Sequence, residues 1–288
     1  GAFQVLVPEP LAAQSAEAFE LAARFLALPE DEKLRFAVDP AEAATSGAPN
    51  GYHACGALGG RYNRYRSGFV FQGAALQPLL GEDGGEACKG GGRFLSCISA
   101  WRKGVWRLAE RLLEGLRLEL AAKGLLTKED AECSGLFAEG GPRDMVAHSQ
   151  FHIKMMHPAA VDAETDAAVR LPVHQDPSFL SFVLHASDEP PGQGLEILDE
   201  AGGGRWVPVP RSGCGVATVI VGQLFHLLCG HGGLPVAKAM HRVATHRRDM
   251  ERERIAATFF FQPTPRDVLT PLVAPGASTF PATGAAAG

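Results

Sequence analysis

Leu171-Pro-Val-His-Gln-Asp-Pro177 is the stretch on which the fold of this chain turns. In an extended strand, residues two apart face the same way, so His174 and Asp176 can reach one point in space. Ten histidines make an accidental His-x-Asp easy to find, and a loop histidine bonded to a neighbouring carboxylate is the ordinary explanation. The surroundings give the stretch its weight. After residue 145, short runs rich in β-branched and aromatic residues alternate with Gly and Pro turns. They are Phe151–Met156, Phe179–Leu184, Leu195–Leu198, Trp206–Val209, Val216–Val221, Ala237–Val243 and Arg254–Phe261. Many short strands at close spacing predict a sandwich or barrel.

Upstream the pattern is different. Phe3–Val7 reads as a short strand. Leu11, Phe19, Leu21, Ala22, Phe25 and Leu26 fall at helical spacing until Pro29, and a short helix follows over Glu30–Phe36. Leu95, Ile98, Trp101, Val105, Leu108, Leu112 and Leu116 form the strongest helical stripe, with Gly124 suited to its C-terminal stop. Between them residues 41–93 are rich in Gly and turn formers, with a strand expected at Gly68–Gln72 and a loop at Gly81–Arg93. The order is helices first, then a β-rich half.

Two further pieces join the first. Read as a strand, Val236–Val243 puts His241 on a face with Ala237, Ala239 and Val243. Such a histidine is a ligand or a satisfied core residue. In Glu253–Phe261, Arg254, Ala256, Thr258 and Phe260 share a face. An arginine entering a barrel interior needs an anion, and a carboxylate is the natural partner. An exposed arginine paired with Asp249 or Glu251 is the alternative. Taken together, two histidines and a carboxylate make the facial triad of a non-haem Fe(II) site with positions open for O₂ and substrate. Arg254 would hold the far carboxylate of a keto acid on the same metal.

In these pieces the sequence resembles the iron/2-oxoglutarate-dependent dioxygenases, in their isopenicillin N synthase-like branch. Gly1-Ala-Phe-Gln-Val-Leu6, Phe25-Leu-Ala-Leu-Pro-Glu-Asp-Glu-Lys33, His174-Gln-Asp-Pro-Ser-Phe-Leu-Ser-Phe-Val-Leu184, Gly194-Leu-Glu-Ile-Leu198, His241-Arg-Val243 and Glu253-Arg-Ile255 match that family's segments in order and approximate spacing. The resemblance implies a mixed α and β chain with a double-stranded β-helix (jelly-roll) core and N-terminal helices packed against it. The expected layout is a single oxygenase domain over 1–288, with a mostly helical region 1–145, a core at 146–265 and a tail at 266–288. It also implies Fe(II) on His174, Asp176 and His241, with 2-oxoglutarate and O₂ as co-substrates and Arg254 on the 2-oxoglutarate. The activity implied is hydroxylation or desaturation of a small metabolite with release of succinate and CO₂.

The match departs at two places. Counting back from Pro158, Met155 and His157 stand where the family carries Asn and Tyr, and Arg254-Ile-Ala256 replaces Arg-x-Ser. His157 is therefore expected to donate to the co-substrate carboxylate, and Thr258 to replace the missing hydroxyl. Phe179 and Phe260 are expected in the substrate pocket by strand alternation, with core packing the alternative for both. Two rival functions follow: an Fe(II) oxidase of the same branch that needs no 2-oxoglutarate, and a non-catalytic small-molecule-binding member of the fold. A zinc hydrolase with the same ligands has no motif in its favour.

Composition narrows the partners. A net charge of −5 and a pI near 6.1 do not favour a polyanion, and the densest charge run, His246–Arg254, mixes both signs. Nucleic acid is not an expected partner. No apolar run approaches the roughly 20 residues that span a bilayer, so neither is a membrane. Six scattered cysteines without a CxxC pair point to a reducing compartment. The expectation is cytoplasmic, with room for a removed targeting segment because the chain opens Gly1-Ala2. Oligomeric state is not legible.

Overall fold

The structure is a computed structural model. It describes residues 1–38, 50–57, 61–72, 91–129, 149–158, 169–186, 188–189, 194–230, 236–237, 239–244 and 252–262. The glycine-rich segment 81–90 and the tail expected after residue 265 lie outside these.

Two antiparallel sheets carry the fold. The larger has seven strands: β1 (Ala2–Leu6), β2 (Gly51–His53), β3 (Arg66–Gln72), β4 (Gln150–Met156), β6 (Leu180–His185), β11 (Val216–Val221) and β13 (Arg254–Phe261), in the order β1-β11-β6-β13-β4-β3-β2. The smaller has four: β5 (Val169–His174), β8 (Leu195–Asp199), β9 (Arg205–Pro208) and β12 (His241–Ala244), in the order β5-β12-β8-β9. A two-residue pair, β7 (Asp188–Glu189) with β10 (Arg211–Ser212), stands apart. This is the jelly-roll class the sequence implied, with strands β1 to β3 of the first half completing the large sheet.

Two faces of the large sheet are buried by different things, and residue parity sorts them. On β4 the odd positions Phe151, Ile153 and Met155 enter the apolar core; on β13 Ala257, Phe259 and Phe261 do the same. Helices α1 (Glu9–Leu26) and α3 (Gly91–Ala122) cover this face. Trp101 of α3 stands edge-on to Phe19 of α1 and to Phe151, with centroids 4.9 Å away in both cases. Trp106 lies 4.8 Å from Phe261, and Phe25 packs on Phe69 and Phe94 at 4.9 and 5.0 Å. The short helix α2 (Glu30–Leu34) follows Pro29, whose fixed φ suits a helix start. The even positions of β4 and β13 face the opposite way, into a cavity closed by the smaller sheet.

Local sequence explains most boundaries. Pro10 sits at the start of α1, where a missing N–H costs nothing. Gly124, at φ +68, follows α3 as expected. Gly68 has a packing reason: a Cβ there would meet the Ile153 carbonyl oxygen at 2.0 Å, so β3 can run against β4 only with a glycine. An unforeseen helix, α4 (Gln223–Gly230), follows β11. Among the described residues Cys55, Cys97, Cys214 and Cys229 are free thiols, and no helix is long and apolar enough to cross a membrane.

Trp101 is fully buried between both helices and the sheet. Trp101→Ala should therefore lower unfolding stability by about 3–5 kcal/mol, the usual cost of an unfilled aromatic site. Denaturant unfolding checks this, and a loss below about 1 kcal/mol would mean that α3 is not seated as described.

Candidate metal centre and cavity

The strand β5 ends at His174, and β12 begins at His241. The two residues are direct cross-strand partners in the smaller sheet. Opposed side chains on paired strands share a face, so the imidazoles meet with ring centroids 4.1 Å apart. Asp176 lies two residues past His174. Its Oδ1 is 3.5 Å from Nε2 of His174 and 3.6 Å from Nε2 of His241. The three ligand atoms lie within 4.8 Å of one another, close enough to hold one metal ion.

The histidines are oriented from behind. Nδ1 of His174 contacts the Pro172 carbonyl at 2.9 Å, and Nδ1 of His241 contacts the Ala239 carbonyl at 3.0 Å. A ring that donates through Nδ1–H keeps its Nε2 lone pair for a metal. Both Nε2 atoms face Asp176. Two imidazoles and one carboxylate on one side of a site, with the other side open to a cavity, fit a divalent first-row ion such as Fe(II). Burial works to raise the Asp176 carboxyl. Hydrogen bonds from His174 and His241 and the Ser181 hydroxyl outweigh it and hold the group far below the usual carboxylate range. Burial pulls the His174 imidazole down, but Asp176 and the Pro172 carbonyl carry it above its ordinary value.

The segment bearing Asp176 is clamped by α4. The backbone N–H groups of Gln223 and Leu224 donate to the carbonyls of Asp176 and Ser178 at 2.8 and 3.2 Å. These are the N–H groups a helix start leaves without intrahelical partners. The N–H of Gly222 donates to the Phe179 carbonyl at 2.8 Å. The contact is so close that a Cβ on Gly222 would meet the Ser178 carbonyl oxygen at 1.9 Å.

Opposite the triad lies the inner face of the large sheet. The cavity between them measures about 270 Å³. Register arranges its wall in rungs. Arg66, Met156 and Arg254 stand side by side on β3, β4 and β13. The next rung runs His53, Gly68, Lys154, Ala256 and His185 across five strands. The one after brings Val70, His152, Thr258 and Val183 together. Lys154 donates to Oγ1 of Thr258 at 3.3 Å and lies 5.3 Å from the centre of the Phe260 ring.

The expected residues are distributed as follows. His174, Asp176, His241, Arg254, Thr258 and Phe260 all line the one cavity. His157 does not. It follows the last residue of β4, with Nε2 2.8 Å from Ser67 Oγ and Nδ1 3.0 Å from Glu253 Oε1. Met155 faces the helices, so it is the even residues His152, Lys154 and Met156 that look inward. Phe179 is a core residue beside Phe261, because the bend at residues 177–179 breaks the alternation counted from Asp176. Sequence reasoning passed over Arg66, Lys154, His152 and His185, which the cavity wall includes. Their signal was available: Phe-x-Ile-x-Met on β4 is an apolar face, and His152 and Lys154 must then lie on the other.

Gly222→Ala should weaken Co(II) or Fe(II) binding by about tenfold or more, since support behind a ligand is worth roughly 10–100-fold in affinity. Metal titration checks this beside a far-UV circular dichroism spectrum, which should be unchanged. Unaltered metal affinity would show that the α4 clamp does not position Asp176.

Residues 147–263 match the model of the 2OG-Fe(II) oxygenase superfamily. No curated protein sequence shows significant similarity to the chain. Among solved structures, a full-length Neurospora crassa protein in complex with alpha-KG and 5-formyluracil is similar at 13% identity. Its TM-score is 0.66, over 92% of this chain and 75% of that one. The dioxygenase for auxin oxidation 1 of Arabidopsis thaliana, in its 2-oxoglutarate complex, is similar at 18% identity. Its TM-score is 0.63, over 94% of this chain and 86% of that one. At these identities the likeness is one of fold.

Proposed function

We propose, from the premise that residues 147–263 are a domain of the 2OG-Fe(II) oxygenase superfamily, that this chain oxidises a small organic molecule with O₂ and 2-oxoglutarate. The observation that carries the reading is the convergence of His174, Asp176 and His241 within 4.8 Å, in the same cavity that Arg254 lines.

His174, Asp176 and His241 would hold Fe(II), and the ion with its co-substrate supplies the activation of O₂ when bound. The protein's own part is binding and exclusion. Arg254 matches the distal carboxylate of 2-oxoglutarate, because a guanidinium presents paired N–H groups at carboxylate spacing. Thr258, two strand positions away from Ala256, offers a hydroxyl on the same face. The apolar wall of Leu171, Val183, Leu195, Ile220, Val243 and Phe260 keeps water from the reacting end and holds an organic substrate beside the triad. The two solved structures described above are complexes with alpha-KG or 2-oxoglutarate, which supports the co-substrate. Ala256 carries no hydroxyl, so the oxidase reading keeps one observation in its favour.

Anaerobic titration of the Fe(II)-loaded chain with 2-oxoglutarate separates the two. The expected outcome is a metal-to-ligand charge-transfer band, and succinate release once O₂ is admitted. Arg254→Gln should raise the Kd for 2-oxoglutarate by about 10–100-fold, the loss of one charge-assisted interaction of about 1.5–3 kcal/mol. No band and no succinate from the unaltered chain would sink the proposal in favour of a 2-oxoglutarate-independent oxidase.

A further inference from the structure

Asp176 has two carboxylate oxygens, and the triad engages one of them. Nε2 of His174 and Nε2 of His241 both approach Oδ1, at 3.5 and 3.6 Å. Oδ1 is therefore the oxygen turned toward the point where the three ligand atoms meet. Asp176 is 5% exposed, and a buried carboxylate needs a donor for its second oxygen as well.

Strand parity supplies that donor. On β6, Val183 and His185 line the cavity, while Phe182 and Leu184 enter the apolar core. Ser181 has the parity of Val183, so its side chain leaves the large sheet on the side of the triad. Its cross-strand neighbours, Ile220 and Phe260, line the same cavity. Ser181 itself is fully buried, because the segment bearing Asp176 lies over it, and its hydroxyl donates to the Asp176 carboxylate.

A proton count fixes the direction of this hydrogen bond. Oγ of Ser178 lies 2.8 Å from Oγ of Ser181, and both residues are fully buried. Each hydroxyl has one proton, and an ionised carboxylate has none. If Ser181 gave its proton to Ser178, the carboxylate would lose a donor in a place that water does not reach. Ser178 therefore donates to Ser181, and Ser181 to Asp176. Ser178 is held in turn by α4. Its carbonyl accepts from the Leu224 N–H at 3.2 Å, and its Oγ lies 2.7 Å from where a Cβ on Gly222 would be.

We propose that Ser181 is a positioning residue for the metal centre: its hydroxyl occupies the second oxygen of Asp176, so the carboxylate offers the ion one oxygen rather than two. The proposal rests on the reading of His174, Asp176 and His241 as metal ligands.

The consequence lies in how many positions stay open. Carboxylates bind cations through one oxygen or both. On a six-coordinate ion, two imidazoles and one carboxylate oxygen leave three positions, and a second carboxylate oxygen leaves two. A keto acid that chelates through two atoms fills both of two positions, whereas with three it leaves one over. Ser181 touches neither co-substrate nor substrate, and acts on both through Asp176.

The test uses the full chain saturated with Mn(II) alone, where water-proton relaxation reports the water ligands on each bound ion. Ser181→Ala and Ser181→Val should lower the enhancement per ion by about a third, as three water positions fall to two. Ser181→Thr, with the shape of valine and the hydroxyl of serine, should keep the value of the unaltered chain. If the added methyl groups do not fit, Ser181→Cys against serine makes the same comparison, since a thiol is a weak donor. Equal relaxation with and without the hydroxyl overturns the proposal, as does a Thr variant as low as the Val variant. Both results leave the metal reading standing, because the ion is bound in each. An unaltered chain that binds no Mn(II) overturns the metal reading and this proposal with it.

Discussion

The paired strands β4 and β13, in the middle of the large sheet, each have two buried faces with opposite requirements. One must be dry and apolar, because α1 and α3 press Phe25, Trp101 and Trp106 against it. The other must carry charge into a cavity. Period-two alternation is the only arrangement that serves both from one short strand. A slip of one residue in β4 would bring Gln150 or His152 under Trp101 in place of Phe151 and turn Phe151 and Ile153 toward the triad. Packing of the helices therefore fixes which side chains the cavity receives, and the triad inherits a wall whose chemistry was set on the far side of the sheet.

The metal ligands depend on a different constraint. His174 and His241 come from strands of the smaller sheet, and Asp176 from the segment that leaves β5 for the larger one. The backbone of that segment is satisfied by the first turn of α4 and by β13 of the large sheet, through Phe179 N–H on the Phe261 carbonyl at 2.9 Å. Gly222 permits this approach, since any side chain there collides with the Ser178 carbonyl. One carboxylate thus reports on both sheets and on a helix.

Much of this was legible in the sequence. The ligands were readable because His-x-Asp, a later His and a strand-opening Arg carry chemistry by residue type and order, and β13 lies over Arg254–Phe261 as expected. The wall opposite was less so. The family pattern counted back from Pro158 turned Met155 and His157 inward, whereas the helices demand the odd residues for themselves and His157 falls past the end of β4. Phe179 was misplaced because alternation does not survive a bend. α4 went unseen since eight residues with glycine at both edges offer too short a window for helical spacing. Arg66 was hidden by its distance in sequence from everything it faces. Only strand pairing brings it level with Arg254.

The rung formed by His174 and His241 has a consequence for the chain as a polymer. Between these positions the sequence passes through β6 to β11 and α4 before it returns. Occupying the triad ties the two ends of that excursion together, as a disulfide would, but through bonds that open when the ion leaves. Such a tie removes conformations chiefly from the unfolded chain, and the reduction grows slowly with the length enclosed. The excursion can therefore lengthen or shorten at its turns with little thermodynamic penalty while its anchor points stay fixed. A centre of this kind acts as a fastener as well as a reagent, and leaves the loops around the cavity mouth free to diverge.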